Sequence, residues 1–488
     1  MFISKTNSSN NNWESPGGSP TSWRLNLNKR VHMVGVKGVG MAALAEVLVK
    51  NGFMVSGSDA KEDFITAGAL KRFNIPIAEF SAENVKNAGA VIRSNAYNSD
   101  NIEVRAAQDL NIPIFSYPEV VAELFNAHYG IAVAGSHGKT TTTAMLAHIL
   151  KSAEKNITAI VGSTVLDWGS GAISGDLAKP DALFVLEADE YKEAFLNYRP
   201  RGAIITNIDY DHPDYYKTES DYENGFVKFI AQVPENGFLV INADDARLKE
   251  LARNAKAKVI ETRAGDFSLP DLRLAGKPHT KSDANPTYHQ RLKAKPFRSR
   301  TDVYQKISTD FVWGEHNRSN AALAYRAALE LGVSETEAKT ALANFKGTAR
   351  RMELVGESNG AAIYDDYAHH PSEIRATLKA MREKYPAKKI VAVFQPHTYS
   401  RTKALFGDFT GAFNDADEVI LTDVFSSARE QKDESVNISD MAAAIEGNGK
   451  KITFIINKTD IPARLKEYLN PSNIIITMGA GDIYKFVN

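Results

Sequence analysis

The sequence of 488 residues contains no cysteine. Disulfides, zinc sites built on thiolates and cysteine nucleophiles are therefore excluded, which is compatible with the cytoplasmic location that we expect. An excess of one charge is also lacking, because 58 Lys and Arg face 59 Asp and Glu and leave a net charge of −1. Nothing in this balance predicts a nucleic-acid or anionic-membrane partner. The apolar runs are too short to cross a bilayer, so no membrane insertion is expected.

Two segments have little capacity to bury surface. Residues 1–27 are rich in Asn, Ser, Gly and Pro, and this composition predicts a flexible tail. Residues 278–300 are polar and basic without periodicity, which favours a solvated loop or insertion over a binding role. The rest of the chain is long for a single core, so two to four domains are expected.

The first block after the tail has the pattern of a βαβ unit. The apolar run 31–34 predicts a strand, residues 41–50 predict a helix, and residues 53–56 predict a second strand, which Asp59 follows. The turn after the first strand contains Gly35, Gly38 and Gly40. Such a unit can bind phosphates at the helix N-terminus and a ribose hydroxyl through the acid. The glycine order departs from the dinucleotide fingerprint, and the glycines could instead serve close helix–strand packing.

The second block opens on the stretch AGSHGKTTTT, which follows a short apolar run. A strand, a glycine loop, Lys139-Thr140 and a helix make up the layout of a phosphate-binding loop, in which backbone N–H groups face the phosphates and the threonine can reach Mg²⁺. The standard pattern has four residues between its glycines, whereas Gly135 and Gly138 have two between them. An ordinary strand-to-helix turn is the competing interpretation.

Two acidic clusters follow apolar runs further along this block. The first contains Glu187, Asp189 and Glu190 in EADE, and the second contains Asp209, Asp211 and His212 in NIDYDH. Hard oxygen ligands beside a phosphate loop are what Mg²⁺ requires. The alternative interpretation of each cluster is solvated loop charge or helix capping.

The third block again alternates strands and helices, which indicates an α/β domain. Arg350 and Arg351 are paired cations in a predicted loop, and four polar residues crowd a strand end, namely Asp365, Asp366, His369 and His370. Zinc is not favoured at the two histidines, because cysteine is absent and the ligand spacing is irregular. Asn317 and Asn320 are expected to precede an alanine-rich helix, where they could cap it or contact an adenine.

In this order the motifs resemble those of the Mur ligase family, ATP-dependent enzymes that add amino acids to UDP-N-acetylmuramic acid. The resemblance extends from Val31 to the C-terminus and rests on GVKGVGMAALAEVL, SGSD, GSHGKTTTT, EADE, TNIDYDH, GEHNRSN, RRMELVG, DDYAHHP, QPHTYSRT and GAGDI. It implies an α/β fold of three domains. These are a Rossmann-like domain that binds the UDP substrate (28–128), a central P-loop-like ATP-binding domain (129–345) and a C-terminal Rossmann-like ligase domain (346–488).

The resemblance also implies a role for particular residues. ATP would contact Gly135, Ser136, His137, Gly138, Lys139, Thr140, Thr141, Asn317, Arg351 and Asp366. The UDP substrate would contact Gly35, Gly38, Val39, Gly40 and Asp59. The amino-acid and acyl side would use Tyr367, His369, His370 and Arg401. Magnesium would be held by Thr140, Glu187 and His212. The catalytic set would be Lys139, His212, His369 and Arg401.

The sequence departs from the family pattern at three positions. Lys37 stands where many members have glycine, which leaves the UDP-loop contacts less defined. Ser136 replaces the commoner threonine, and Thr398 stands where some members have arginine, so that only Arg401 is assigned a substrate contact.

The activity implied by the resemblance is ligation of L-alanine to the lactyl carboxylate of UDP-N-acetylmuramate through an acyl phosphate, with ATP and Mg²⁺, by a monomer or homodimer. This reaction belongs to peptidoglycan precursor synthesis. The nearest alternative joins the tripeptide L-Ala-γ-D-Glu-diaminopimelate to the same sugar nucleotide, but the short link KEAFLNYRPRGAIITN favours the alanine ligase. Remote alternatives are a nicotinamide-dependent dehydrogenase and a non-catalytic nucleotide-binding regulator.

Overall fold

The computed structural model describes residues 29–61, 66–268, 312–425, 430–455 and 457–487. The predicted tail and the predicted basic segment 278–300 lie outside the described residues. Within the described residues, no helix has the length and apolar character needed to cross a membrane. Three separate sheets follow one another along the described part of the chain, which confirms the predicted α/β fold.

The first sheet has five parallel strands in the order β3-β2-β1-β4-β5. The strands are β1 (Arg30–Val34), β2 (Met54–Ser58), β3 (Ile77–Ala78), β4 (Ala90–Arg93) and β5 (Ile114–Ser116). The helices are Val39–Lys50, Ala67–Arg72, Ile102–Asp109 and Tyr117–Asn126. The strand order reverses between β1 and β4, and such a switch point opens a crevice at the carboxyl ends of the strands. The glycine turn that follows β1 lies at this edge.

The second sheet has seven strands in the order β12-β11-β10-β6-β9-β7-β8, parallel except for the antiparallel β7–β8 pair. Its strands are β6 (Tyr129–Ala134), β7 (Ile157–Val165), β8 (Ser170–Ile173), β9 (Leu183–Glu187), β10 (Gly202–Ile205), β11 (Phe238–Asn242) and β12 (Lys258–Thr262). Its helices are Lys139–Ser152, Glu219–Gln232, Ala246–Leu251, Glu315–Glu330 and Glu335–Asn344. Because β6 lies between β9 and β10, the phosphate loop and both acidic clusters meet at one edge.

The third sheet has six strands in the order β13-β14-β18-β15-β16-β17, and only the β13–β14 pair is antiparallel. Its strands are β13 (Glu353–Ser358), β14 (Ala361–Asp366), β15 (Lys389–Phe394), β16 (Glu418–Thr422), β17 (Lys451–Ile455) and β18 (Asn473–Met478). Its helices are Pro371–Lys384, Tyr399–Ala404, Phe406–Thr410, Ile438–Gly447 and Ile461–Leu465. The central strands are buried on both faces, which explains runs such as IIITM.

One prediction about a helix boundary is wrong. Asn317 and Asn320 were expected to precede the alanine-rich helix, but that helix begins at Glu315 and Gly314 is its N-cap. Both asparagines are therefore buried within its first two turns and cap nothing. The apolar periodicity begins only at Ala321, and this delay displaced the predicted start.

Candidate functional site

The loop between β6 and the helix Lys139–Ser152 has the backbone that its glycines allow. Gly135 has φ +123° and Gly138 has φ +83°, values that residues with a Cβ rarely adopt. A Cβ on Gly135 would lie 2.1 Å from the Thr206 hydroxyl, and one on Gly138 would lie 2.4 Å from the Asn320 side-chain oxygen. Glycine is therefore required at both positions by conformation and by space.

We expect Gly135→Ala to lower the free energy of unfolding by about 3 kcal/mol, because it adds backbone strain and a steric clash with Thr206. Gly68→Ala is the matched control, since Gly68 has no atom within 4 Å of the added methyl group and has no positive φ. This control should change the free energy of unfolding by less than about 1 kcal/mol. Urea unfolding of both variants measures the difference, and equal effects would contradict the argument.

The loop is fastened to the segment that follows β10. The N–H of Ser136 donates to the Asn207 carbonyl (3.1 Å), and the N–H of His137 donates to the Asn207 side chain (3.0 Å). The Ser136 hydroxyl contacts the Tyr222 hydroxyl at 2.7 Å and accepts the N–H of Asp209 at 2.8 Å. Ser136 thus holds the loop in place. The N–H groups at the start of the following helix, which have no intrahelical partner, are the better candidates for phosphate binding.

The ammonium group of Lys139 lies in a line of alternating charges. It donates to the carbonyls of Gly135 (2.6 Å) and Ser136 (3.0 Å) and lies 2.8 Å from the Glu190 carboxylate. Burial lowers the pKa of Lys139, but the carboxylates of Glu190, Asp189 and Glu187 together more than compensate and raise it. The line continues to His212, whose Nε2 is 3.5 Å from Glu190.

The same line crosses from the second sheet to the third. Arg401 donates through Nε (2.9 Å) and Nη2 (3.1 Å) to the two oxygens of Asp211, the residue before His212. Both side chains are buried. A bidentate pair of this kind fixes the geometry of its partners. In the structure Arg401 therefore binds Asp211 and joins the two sheets.

Several described side chains beside the phosphate loop offer ligand atoms for a divalent cation. The Thr140 hydroxyl donates to Glu187 Oε1 at 2.7 Å, and the other Glu187 oxygen accepts the N–H of Gly162 at 2.6 Å. Potential ligand atoms of Asp189, Glu190 and His212 lie within 4.8 Å of one another. The hydroxyl oxygen of Thr140 and the carboxylate oxygens of Glu187 are the kind of ligand atoms that Mg²⁺ prefers.

A cavity of about 730 Å³ opens between the second and third sheets. The predicted nucleotide residues that line it are His137, Gly138, Thr141, Asn317, Arg351 and Asp366. Lys139 and Thr140 do not line it, and neither do Tyr367, His369, His370 and Arg401. The cavity has a volume that suits a nucleotide. The predicted ATP residues therefore form two groups. Six of them line the cavity, whereas Lys139 and Thr140 lie beside it, next to the acidic clusters.

The turn after β14 is held by Asp366. Its carboxylate accepts the N–H groups of Met352 (2.8 Å) and Ala368 (2.7 Å), and burial raises its pKa to about 6 although Arg351 opposes this. The Tyr367 ring lies 5.1 Å from the Arg351 guanidinium carbon. These contacts set the position of Arg351 at the cavity wall.

His137 extends from the phosphate loop towards the third sheet. Its Nε2 is 3.2 Å from Asp209, its Nδ1 is 3.4 Å from Glu373, and its ring centroid is 4.7 Å from that of His370. Burial lowers the pKa of His137, but the carboxylates of Glu373 and Asp209 raise it to about 9. Burial, assisted by the charge of His137, lowers the pKa of His370 to about 4. The loop thus carries an imidazolium that contacts both sheets.

The raised pKa of His137 predicts a loss of stability at alkaline pH. The pKa of about 9 in the folded state exceeds the ordinary histidine value of 6.5, so the contribution to stability is fully present below pH 6.5 and disappears as the pH rises through 9. The difference corresponds to about 3 kcal/mol. The free energies of unfolding of the wild type and His137→Gln, measured with urea, should therefore become more similar as the pH rises from 6 to 9.5. His148→Gln is the control, because burial lowers the pKa of His148. If the difference in the free energy of unfolding between the wild type and His137→Gln does not change with pH, the expected result is contradicted.

The predicted UDP-substrate residues lie at the carboxyl edge of the first sheet, away from the cavity. Asp59 follows β2, and its carboxylate accepts the N–H groups of Lys37 (2.7 Å) and Ala60 (2.8 Å). A Cβ on Gly40 would lie 2.8 Å from the Tyr117 ring, and one on Gly35 would lie 2.6 Å from the Tyr97 ring. Gly38 and Val39 begin the helix that follows. Asp59 thus holds the glycine turn in shape.

Two residues of the site make contacts that were not predicted from the sequence. Asp211 belongs to a recognised acidic cluster, but nothing in the sequence shows that it pairs with Arg401. Glu373 is the third residue of the helix Pro371–Lys384, where a glutamate usually signals capping. Its contact with His137 arises only from the packing of the second sheet against the third, and its contact with Arg351 arises from the folding of the third domain.

Comparison with known proteins accounts for all three sheets. Three family models match in order, described as the Mur ligase family, catalytic domain (30–129), the Mur ligase middle domain (133–328) and the Mur ligase, glutamate ligase domain (350–481). The second of these spans the phosphate loop and both acidic clusters.

Relatives match over nearly the whole chain. The UDP-N-acetylmuramate–L-alanine ligase of Desulfitobacterium hafniense is 39% identical over 93% of this chain and 98% of its own length. The protein of the same name from Clostridium acetobutylicum is 38% identical over 94% and 96%. The crystal structure of UDP-N-acetylmuramate-alanine ligase MurC from Thermotoga maritima superimposes with a TM-score of 0.68 and 26% identity, covering 94% of this chain and 97% of that one. This chain belongs to the Mur ligase family.

Proposed function

We propose that the protein joins L-alanine to the lactyl carboxylate of UDP-N-acetylmuramate at the expense of ATP, as a step of peptidoglycan precursor synthesis. The observation that carries the proposal is the near full-length likeness to ligases of that name. The geometry supports it, because a phosphate loop, oxygen ligands for a cation and a nucleotide-sized cavity meet where two sheets face each other.

The proposed reaction has two steps. The lactyl carboxylate attacks the γ-phosphorus of ATP, so that an acyl phosphate forms and ADP leaves. The amine of L-alanine then attacks the acyl carbon, and phosphate departs from the tetrahedral intermediate as the amide forms. A free carboxylate has no leaving group for this exchange, which is why phosphorylation must come first.

The protein's contribution is positioning and charge compensation. Lys139 would bind the β- and γ-phosphates, exchanging its contact with Glu190 for them. Arg351, Asn317 and Asp366 would face the nucleotide from the cavity wall, with Asn317 near the adenine. Tyr367, His369, His370 and Arg401 remain proposed for the amino-acid and acyl side, since they adjoin the turn after β14 or contact Asp211.

Magnesium is proposed as the cofactor because Thr140 and Glu187 provide the hard oxygen atoms that it prefers. When bound, it would neutralise phosphate charge and so allow a carboxylate to approach. His212 is a candidate for a second cation. His212 contacts Glu190, the same carboxylate that pairs with Lys139.

The remaining assignments are also part of the proposal. The UDP moiety is assigned to the glycine turn after β1, and the domain boundaries are assigned to residues 128/129 and 345/346. A cytoplasmic location and a monomeric or dimeric state are proposed for the enzyme.

The proposal is tested by ADP release in the presence of ATP, Mg²⁺ and UDP-N-acetylmuramate. L-alanine and the tripeptide L-Ala-γ-D-Glu-diaminopimelate are supplied in parallel reactions. We expect turnover with L-alanine and little with the tripeptide. Turnover with the tripeptide alone would keep the chemistry but replace the proposed acceptor, and no turnover with either would contradict the proposal.

A further inference from the structure

The carboxylate of Glu373 lies between two sets of predicted site residues. Its Oε1 is 3.4 Å from His137 Nδ1 on the phosphate loop and 3.4 Å from Arg351 Nη1 at the cavity wall. Its Oε2 accepts the N–H groups of His369 (3.0 Å) and His370 (3.3 Å) and lies 3.2 Å from His369 Nδ1. One oxygen therefore faces the nucleotide side, and the other holds the turn on the proposed acceptor side.

Helix capping explains only half of these contacts. Three other α-helices of the described chain have a capping box with an acid at the same position, namely Glu119, Asp221 and Glu337. Each of them uses a single oxygen to bind the N–H and hydroxyl of its N-cap residue. Glu373 uses Oε2 to accept the N–H of the N-cap His370, which has no hydroxyl, but its Oε1 points to two cations, His137 and Arg351.

The burial of Glu373 adds a second distinction. Its side chain is 9% exposed, whereas capping needs no burial. Burial raises the pKa of a carboxyl group, but the neighbouring His369, the imidazolium of His137 and the guanidinium of Arg351 hold the pKa of Glu373 well below its usual range. A buried carboxylate is costly unless it is paired. Its position therefore requires that the phosphate loop and Arg351 remain beside it.

We propose that Glu373 is a positioning residue that couples the nucleotide side of the site to the acceptor side. The proposal rests on the function proposed above. Its partners come from three separate segments, which are the phosphate loop, the loop before β13 and the turn after β14. The reaction requires the carboxylate, the γ-phosphate and the amine to meet in one geometry, and small misplacements are costly in rate. A single carboxylate that holds all three segments supplies that alignment.

Glu373→Gln tests the coupling, because glutamine keeps an oxygen for the N–H groups of His369 and His370 but removes the charge. We expect the KM values for both ATP and L-alanine to rise and kcat to fall about 10²-fold. Glu337→Gln is the matched control at an equivalent capping position and should leave kcat and both KM values unchanged. If Glu373 only caps its helix, both variants will lose similar stability and keep their kinetic constants, which would overturn the proposal.

A double-mutant cycle with His137→Gln measures the coupling directly. After Glu373→Gln, the further change His137→Gln should alter the KM for ATP by less than about twofold, although it has a larger effect in the wild type. If His137→Gln changes the KM for ATP by the same factor in the wild type and in Glu373→Gln, the proposal is overturned.

Nucleotide binding separates this proposal from the proposed function. If the wild type shows no alanine-dependent turnover, the proposed function fails, but affinity for a non-hydrolysable ATP analogue can still be measured by calorimetry. Glu373→Gln should weaken that affinity about tenfold. Unchanged affinity would overturn the role of Glu373.

Discussion

Replacement of Lys139 by alanine is expected to lower kcat for ADP formation by about 10²- to 10³-fold. The lysine is the first residue of the helix that follows the phosphate loop, and its ammonium lies among the loop carbonyls and Glu190. Its proposed role is to bind the transferring phosphate, where charge develops during the reaction. Binding of UDP-N-acetylmuramate should be unchanged, because the predicted UDP residues lie at the first sheet. Steady-state kinetics and calorimetry measure the two quantities separately.

The structure also predicts a side effect of this substitution. Without Lys139, the buried carboxylate of Glu190 loses its main cation, which costs about 3–5 kcal/mol of stability. The double variant Lys139→Ala/Glu190→Gln should recover stability but not activity, so that the kinetic loss is separated from unfolding. Lys151→Ala, at the exposed end of the same helix, is the control for loss of a lysine. Substantial turnover by the folded double variant would contradict the role of Lys139.

Replacement of Glu187 by glutamine is the second change with a large expected effect. The two oxygens of Glu187 accept the Thr140 hydroxyl and the Gly162 N–H, and a glutamine keeps the size of the side chain while it removes the charge. If Glu187 holds Mg²⁺, the concentration of Mg²⁺ needed for half-maximal turnover should rise by about 10- to 100-fold. At saturating Mg²⁺, kcat should recover part of its loss.

The matched control is Glu193→Gln. Glu193 lies six residues further along the same segment, and its carboxylate pairs with the exposed Lys228 at 2.7 Å, outside the site. This control should leave the Mg²⁺ dependence as in the wild type. If Glu187→Gln lowers turnover but leaves the Mg²⁺ titration unchanged, Glu187 acts by positioning Thr140, and its assignment as a metal ligand is contradicted.

The elements that the sequence could predict are those with a local cause. The glycine turn after β1, the phosphate loop after β6 and the acidic segment after β9 each follow a continuous apolar strand, so their place at a sheet edge follows from the pattern alone. Predicted strand boundaries differ from the observed ones by one or two residues, as with residues 53–56 against Met54–Ser58. Local hydrogen bonding decides such ends, and apolar patterning does not encode it.

The contacts that the sequence could not predict join segments that are distant along the chain. Arg401 and Asp211 are 190 residues apart, and His137 reaches Glu373 from another sheet. In the sequence, each of these four residues looks like an ordinary charged residue on the protein surface. Their burial follows only from the packing of the second sheet against the third, and so does the contact between His137 and Glu373, which raises the pKa of His137 and lowers that of Glu373 although burial acts the other way on each. The resemblance to a family could assign Arg401 to the site but not its partner.

The contacts between the two sheets explain how a site built on separate domains can align three reactants. The Lys139–Glu190–His212 line ends at the Arg401–Asp211 pair, and a second connection passes through His137 and Glu373. Both begin at the phosphate loop. A change in the position of the third sheet therefore alters the surroundings of the loop.

Transfer of oxygen-18 from the substrate carboxylate tests the central claim most directly. UDP-N-acetylmuramate labelled in its lactyl carboxylate is incubated with the protein, ATP, Mg²⁺ and L-alanine, and the products are analysed by mass spectrometry. Ligation through an acyl phosphate predicts that one labelled oxygen appears in inorganic phosphate for each alanine joined. Formation of the alanyl product with unlabelled phosphate, or ATP hydrolysis with no alanyl product, would contradict the account.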